Sequence, residues 1–227
     1  MVPTTRDCFA AAARIQKCIR EDEPCRELRA AGLAGWLPLA VRTPVHAGET
    51  VLVLGATGTV GLVAVQAARL LGAGTIVAAG RSEEGLARAR ERGADACVRL
   101  GEGFQDELRE AVGENGVTLI FDPIWGEPLA AALEVAAPRA RIVHLGQSAG
   151  PTATLASGTV RGKELDLHGH SNFAVPIDIL RREYDRLVRH AEAGEIRIDV
   201  ERIPLEDVAT AWERQQRGEH VKLVLVP

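Results

Sequence analysis

Short apolar runs alternate with amphipathic segments through the middle of the chain. Residues 51–54 form a continuous apolar run, and a glycine-rich turn separates it from residues 60–71, where apolar positions recur with helical spacing. The same alternation predicts further strands at residues 75–79, 96–100, 117–121, 141–145 and 164–168, and further helices at residues 83–92, 105–112 and 128–136. Strands separated by helices of this length predict an α/β fold with a doubly wound, mainly parallel sheet.

Two flanking segments fall outside this alternation. Helical patterns around residues 9–18 and 25–41 precede Pro44. On the other side, the pattern predicts helices at residues 177–193 and 205–217 and strands at residues 197–203 and 220–226, and the sequence identifies no neighbour for the last strand. We therefore predict a helical flank at residues 1–45, the sheet domain at residues 46–175, and a C-terminal helix and strand extension at residues 176–227.

The glycine-rich turn lies between a predicted strand and a predicted helix, which is the context that a dinucleotide-binding fingerprint requires. Backbone N–H groups and the positive end of the helix dipole could hold a pyrophosphate there. Gly58 would let the phosphates approach the backbone, and Gly61 would let the helix pack closely on the strand. A turn that binds nothing is the alternative, but the surrounding alternation favours a Rossmann fold that binds its cofactor through the turn. The predicted binding residues of the turn are Gly55, Ala56, Thr57, Gly58, Thr59, Val60 and Gly61.

The end of the second strand indicates which dinucleotide binds. An acidic residue at this point would hold the ribose hydroxyls of NAD. The chain instead has Gly80, Arg81 and Ser82. A guanidinium and a hydroxyl attract a 2′-phosphate, so the sequence favours NADP(H) over NAD(H). The alternative is that Arg81 is only a solvated neighbour of a helix cap.

Composition and charge exclude several classes of function. Hydrophobic residues make up 46% and charged residues 26% of the chain, as in ordinary soluble globular proteins. The net charge of −4 provides no basic surface for nucleic acid or an anionic membrane. No apolar run is long enough to span a membrane or to form a signal peptide, so we expect a cytoplasmic protein. The cysteines Cys8, Cys18, Cys25 and Cys97 form no C-x-x-C pair, and we expect reduced thiols and no zinc.

Several stretches, in order, resemble the medium-chain dehydrogenase/reductase superfamily, and its zinc-free quinone oxidoreductase branch in particular. They are residues 31–36, 47–61, 93–96, 121–126, 141–146, 193–196, 203–208 and 221–225. The resemblance spans residues 28–227. It implies that Asp122 and Pro123 after the fourth strand, and Gly146, Gln147 and Ser148 after the fifth, also contact NADP(H).

The resemblance implies an NADPH-dependent oxidoreductase that transfers hydride to a quinone, an enone or another small carbonyl compound. It also implies a homodimer through the sheet edge at residues 164–168, continued through His170 and Phe173, because an exposed edge strand offers unpaired backbone groups. Family members have an N-terminal GroES-like catalytic domain that residues 1–27 do not match, and Ala34 stands where the family often has threonine. We therefore assign no catalytic residues. The alternative function is a non-catalytic NADP(H)-binding module, or a truncated gene product without turnover.

Short-chain dehydrogenases can carry a similar glycine-rich turn, but classical members need a tyrosine followed four residues later by a lysine. The single tyrosine, Tyr184, is followed four residues later by Val188, which argues against that chemistry. We interpret Tyr184 as a partly buried helix position.

Other conspicuous side chains have structural interpretations. His168 and His170 would share one face of a strand, but no third ligand accompanies them, so we favour a sheet-edge role over a metal site. We expect His144 to be a hydrogen-bonded core or cleft residue. Three tryptophans are interpreted as packing anchors, namely Trp36, Trp125 and Trp212.

Overall fold

A computed structural model describes residue 28, residues 30–217 and residues 221–227. Within these residues a six-stranded sheet has the order β3-β2-β1-β4-β5-β6, and every neighbouring pair is parallel. The strands are β1 (Thr50–Leu54), β2 (Thr75–Gly80), β3 (Ala96–Arg99), β4 (Val117–Asp122), β5 (Ala136–His144) and β6 (Asp166–Gly169). This is the strand order of the doubly wound dinucleotide-binding fold, which confirms the predicted fold class.

Helices connect the strands and cover both faces of the sheet. They are α1 (Ala31–Leu37), α2 (Thr59–Leu70), α3 (Glu83–Glu91), α4 (Phe104–Val112), α5 (Gly126–Leu133), α6 (Ser157–Gly162), α7 (Ile177–Glu192) and α8 (Val208–Arg217), with a π-helical turn at Pro38–Arg42. Across the part of the chain described, none of these helices has the length and apolar character needed to cross a membrane. The helix predicted at residues 9–18 lies outside the described residues.

The sheet divides the apolar side chains into two cores. In β1, Val51 and Val53 face the core formed with α1, α2, α3 and α7, while Leu52 and Leu54 face the core formed with α4 and α5. All four side chains are fully buried. Because successive side chains of a strand point to opposite faces, a strand covered on both sides must be apolar throughout. This accounts for the uninterrupted apolar run from which the first strand was predicted.

α1 packs closely against α2, the first crossover helix. A Cβ on Gly35 would lie 2.7 Å from Cβ of Val63, so α1 and α2 can approach this closely only with glycine here. Fully buried Trp36 donates its indole N–H to Oε2 of Glu183 on α7 at 3.1 Å. Burial alone would raise the pKa of Glu183, but this hydrogen bond and those from its arginine neighbours, together with their charges, lower it. A buried carboxylate thus joins α1 to α7.

The C-terminal extension forms a separate two-stranded parallel sheet from β7 (Val200–Pro204) and β8 (Lys222–Val226). The neighbour that the sequence did not identify for the last strand is therefore β7. Gln66 on α2 holds the segment before β7, since its side chain donates to the carbonyl of Arg197 at 3.0 Å and accepts from the N–H of the same residue at 2.8 Å. Trp212 on α8 is 66% exposed, so its interpretation as a packing anchor is wrong. Its helix contacts both strands of the small sheet, and the buried residue of that helix is Ala211.

Several element predictions needed revision. β5 begins at Ala136 rather than residue 141, because Pro138 and the left-handed Arg139 interrupt the apolar pattern of a strand that continues past them. The helix predicted at residues 128–136 spans Gly126–Leu133, because the chain enters β5 at Ala136. The short helix α6 was not predicted. The boundaries at residues 45 and 175 stay a prediction, and buried Leu187 of α7 belongs to the same core as α1 and α2.

Candidate functional site

The glycine-rich turn lies at the carboxyl end of β1 and leads into α2. Gly55 has a left-handed φ of 62°, and its carbonyl accepts a hydrogen bond from the N–H of Gly58 at 3.1 Å. A Cβ on Gly61 would collide with the carbonyl oxygen of Gly55 and lie 2.6 Å from Cα of Ala56. Gly61 therefore permits the close packing of helix on turn that the fingerprint requires.

Gly58 has a different environment from Gly61. The nearest atom to a Cβ placed on Gly58 would be the carbonyl oxygen of Gly55, at 3.6 Å, which is an ordinary contact. Its backbone is extended, with φ −83° and ψ 163°, so the conformation does not require glycine either. Packing within the described residues thus gives no reason for glycine here. Apart from that oxygen, no heavy atom beyond its chain neighbours lies within 4 Å of a Cβ at this position among the described residues, so the space in front of Gly58 is open.

A cavity of about 1070 Å³ opens beside this turn, at the carboxyl ends of the strands. Six of the predicted cofactor residues line it, namely Gly55, Thr57, Gly58, Gly80, Arg81 and Ser148. The sequence prediction missed the remaining lining, which includes Leu100, Glu102, Phe104, Asp106, Arg109, Ile124, Glu127 and Ala149. Many of these follow β3 and β4, and since carboxyl ends of parallel strands share one edge, the loop after β3 could have been included on that ground.

The other predicted residues do not line the cavity, and some of them support its walls. They are Ala56, Thr59, Val60, Gly61, Ser82, Asp122, Pro123, Gly146 and Gln147. Ser82 caps α3, because its hydroxyl accepts a hydrogen bond from the N–H of Gly85 at 3.2 Å. A Cβ on Gly146 would collide with the carbonyl oxygen of Pro123, so glycine lets the loops after β4 and β5 meet.

Among the charged side chains around the cavity, some form ion pairs with described residues and others do not. Arg109 donates to Asp106 at 2.7 Å, and these two neutralise each other. Arg81 is exposed and has no hydrogen bond or ion pair with any residue that the structure describes. Glu102 and Glu127 add carboxylates to the lining. Arg81 is thus an exposed, cavity-lining arginine without a partner among the described residues.

Asp122, His144 and Trp125 form a cluster next to the cavity. The Asp122 side chain is fully buried and accepts hydrogen bonds from the backbone N–H groups of Ile124 and Trp125. Its other oxygen lies 2.9 Å from Nδ1 of His144. The prediction that His144 is a hydrogen-bonded residue is confirmed, and strand register explains it, because Asp122 and His144 are direct partners across β4 and β5.

Among the residues described, no group of three or more His, Cys, Asp or Glu side chains is placed to hold a metal ion. The imidazole of His170 is hydrogen-bonded to Asn172: Nε2 of His170 lies 2.9 Å from Oδ1 of Asn172. Cys97 is a free thiol, and burial raises its pKa. The other three cysteines lie outside the described residues. The prediction of a zinc-free chain stays a prediction.

Comparison with known proteins identifies a family for this chain. The sequence model of the zinc-binding dehydrogenase family matches residues 59–190. Rat quinone oxidoreductase-like protein 2 is 32% identical over 142 residues, which are 59% of this chain and 41% of that protein. The chain spans about half the length of the curated relatives it matches.

Many solved structures are similar to this chain, and two of them illustrate the likeness. The crystal structure of AibC has a TM-score of 0.79 and 31% identity, and covers 88% of this chain and 56% of its own. The mycobacterial protein Rv1454c, solved in complex with NADPH, has a TM-score of 0.75 and 25% identity, and covers 87% of this chain and 62% of its own.

Proposed function

The chain belongs to the zinc-binding dehydrogenase family, and from this premise we propose that it binds NADP(H) and provides the cofactor domain of an oxidoreductase. The observation that carries the proposal is the pairing of two features in one cavity. Gly58 leaves space in front of its backbone at a helix N-terminus, and the unpaired guanidinium of Arg81 stands at the end of β2. The first suits a pyrophosphate and the second suits a 2′-phosphate. The mycobacterial structure, which contains NADPH, supports the same choice of cofactor.

Different residues of this chain would bind different parts of the cofactor. The turn at residues 55–61 would receive the pyrophosphate on its backbone, and Arg81 and Ser82 would face the 2′-phosphate. Ser82 can do so while it caps α3, since its oxygen accepts from Gly85 and its O–H remains available as a donor. The bound cofactor would supply a hydride, and the chain's own contribution is to bind and orient it.

We propose a quinone, an enone or another small carbonyl compound as the hydride acceptor. The names of the relatives support this class, since quinone oxidoreductase-like proteins are among them. We also propose that the protein is a cytoplasmic homodimer formed through β6. This strand ends the order of the large sheet, and Leu167 on it is 47% exposed. Pairing two such edges would satisfy backbone groups that otherwise depend on water.

Replacement of Arg81 by alanine tests the cofactor assignment. Loss of a charge-assisted hydrogen bond costs about 1.5–3 kcal/mol, so NADPH affinity should fall about ten- to hundredfold while NADH affinity stays the same. Arg99→Ala is the matched control, because Arg99 is an exposed arginine at the end of the neighbouring strand and does not line the cavity. Equal losses for the two nucleotides, or for the two variants, would refute the role of Arg81.

Turnover separates the two functional alternatives. NADPH oxidation would be followed at 340 nm with a panel of quinones, enones and aldehydes. Oxidation that depends on the acceptor supports the oxidoreductase. NADPH binding without oxidation of NADPH by any acceptor would instead identify a cofactor-binding module.

A further inference from the structure

The turn after β4 holds a tryptophan in a backbone conformation that side chains rarely adopt. Trp125 has φ 61° and ψ −165°, and Gly126 after it has φ 74°. This region is essentially restricted to glycine, because a Cβ there crowds the neighbouring peptide groups. Such a residue persists only where its surroundings hold it in place.

The buried carboxylate of Asp122 holds this turn by accepting hydrogen bonds from its backbone N–H groups. One oxygen accepts from the N–H groups of Ile124 at 3.0 Å and Trp125 at 2.8 Å, and the other lies 2.9 Å from Nδ1 of His144. The carboxylate is fully buried, and Nδ1 of His144 is the partner of its second oxygen, so removal of the imidazole leaves a buried acceptor without that donor. His144 thus fixes the orientation of the group that fixes the turn.

His144 also supports the tryptophan directly. The two rings lie with their centroids 4.1 Å apart, at an interplanar angle of 44°. A single imidazole therefore holds the strained residue twice, through its ring and through the carboxylate that binds the backbone N–H of Trp125.

The same turn forms part of the cofactor cavity. Ile124 lines the cavity and packs against the glycine-rich turn, since a Cβ on Gly55 would lie 2.8 Å from Cγ2 of Ile124. The Ile124 carbonyl accepts from the N–H of Ala149, another lining residue, at 2.8 Å. Movement of the Trp125 peptide would therefore displace a wall of the cavity.

We propose that Asp122 and His144 are positioning residues for NADP(H): they hold Trp125 in its left-handed conformation and so fix the wall that Ile124 gives to the cofactor cavity. This inference rests on the proposed function. It assigns to Asp122 a role behind the wall of the cavity rather than in contact with the cofactor.

NADPH affinity of His144 variants, measured by calorimetry on the full chain, tests the proposal. His144→Leu keeps an apolar contact with Trp125 but removes the donor to Asp122, and should weaken NADPH about tenfold, the effect of one lost hydrogen bond to a charged group. His144→Asn restores a donor near the position of Nδ1 and should recover most of the affinity.

His190→Leu is the matched control. Its imidazole also meets a carboxylate, with Nδ1 2.7 Å from Glu195, and also contacts a tryptophan ring, that of Trp36 at 5.3 Å. It does not line the cavity. This variant should bind NADPH as the unmodified chain does, whatever it loses in Tm. An equal loss of affinity in both leucine variants would overturn the proposal.

A Trp125→Gly background gives the second test. Glycine adopts the conformation of the turn without strain, so His144 should no longer be needed to hold it. We expect His144→Leu to change the NADPH Kd much less in this background than in the original chain. If His144→Leu unfolds the original chain, restored folding in the glycine background supports the positioning role. If the variant unfolds in both backgrounds, His144→Asn in the original chain decides: NADPH affinity close to that of the unmodified chain supports the role, and a folded variant that binds NADPH tenfold more weakly overturns it.

The outcomes also separate this inference from the function beneath it. No NADPH binding by the unmodified chain refutes the proposed function. NADPH binding that His144→Leu leaves unchanged, or reduces equally in both backgrounds, refutes the positioning role alone.

Discussion

Gly58→Ala and Gly61→Ala should affect different properties of the chain, although both replace a glycine with alanine and the two positions lie three residues apart. A Cβ on Gly58 would meet nothing closer than 3.6 Å, whereas a Cβ on Gly61 would strike backbone atoms of Gly55 and Ala56. We expect Gly58→Ala to fold normally and to lose NADPH affinity. We expect Gly61→Ala to lose stability.

The structure sets the size of each effect. At Gly58 the extended backbone accepts alanine, which gains about 0.4–1 kcal/mol from the unfolded state, and alanine is a poorer N-cap by a similar amount, so Tm should move by no more than about 2 °C. At Gly61 the atoms encountered belong to the backbone and cannot rotate away. Overpacking of this kind costs about 3 kcal/mol, which lowers Tm by about 6–12 °C in a chain of this size.

Affinity provides the second readout. A methyl group in front of the Gly58 backbone would displace the pyrophosphate from at least one N–H donor, and each such bond to a charged group contributes about 1.5–3 kcal/mol. NADPH Kd should therefore rise about ten- to hundredfold. Thermal melts without ligand and calorimetric titrations of both variants measure the two effects. Unchanged NADPH affinity in a folded Gly58→Ala variant would refute the reasoning, since the turn would then be only structural.

Three further predictions concern stability, assembly and metal. Glu183→Gln should destabilise the chain by about 1.5–3 kcal/mol at pH 7, because Trp36 then loses a charged partner. Since the folded pKa of Glu183 is lowered, its contribution is present above its unfolded pKa of about 4.3 and is lost as pH falls through the folded pKa. Urea melts of this variant should therefore converge with those of the unmodified chain in acid. Leu167→Asp should convert a dimer to a monomer in sedimentation at micromolar concentration, and an unmodified chain that is monomeric throughout would contradict the dimer. Elemental analysis should find zinc far below one atom per chain, and stoichiometric zinc would contradict the zinc-free prediction.

The central strands of the sheet could be predicted because they are buried on both faces. Val51 to Leu54 form an unbroken apolar run, and the turn that follows carries a fingerprint whose spacing reflects local backbone geometry. The apolar pattern does not reveal where a strand begins when other residues interrupt that pattern within the strand. Pro138 and Arg139 lie inside β5, so the sequence placed its start too late.

Contacts between distant residues account for what the sequence could not predict at the site. Asp122 and His144 are 22 positions apart and meet only because β4 and β5 pair in register. Neither residue belongs to a motif that would indicate a shared role. Similarly, Phe104 and Arg109 line the cavity from α4, and their contribution depends on where that helix packs. Residue type alone also misled the prediction for Trp212, which was expected to pack in the interior but has an exposed side chain.

Calorimetric titration of the unmodified chain with NADPH and with NADH, under the same buffer and salt conditions, tests the central claim most directly. NADPH should saturate one site per chain and bind at least about tenfold more tightly than NADH, because only NADPH offers a 2′-phosphate to Arg81. Adenosine 2′,5′-bisphosphate should compete for the same site. Equal affinity for the two nucleotides, or no saturable binding of NADPH, would contradict the assignment of this chain as an NADP(H)-binding domain.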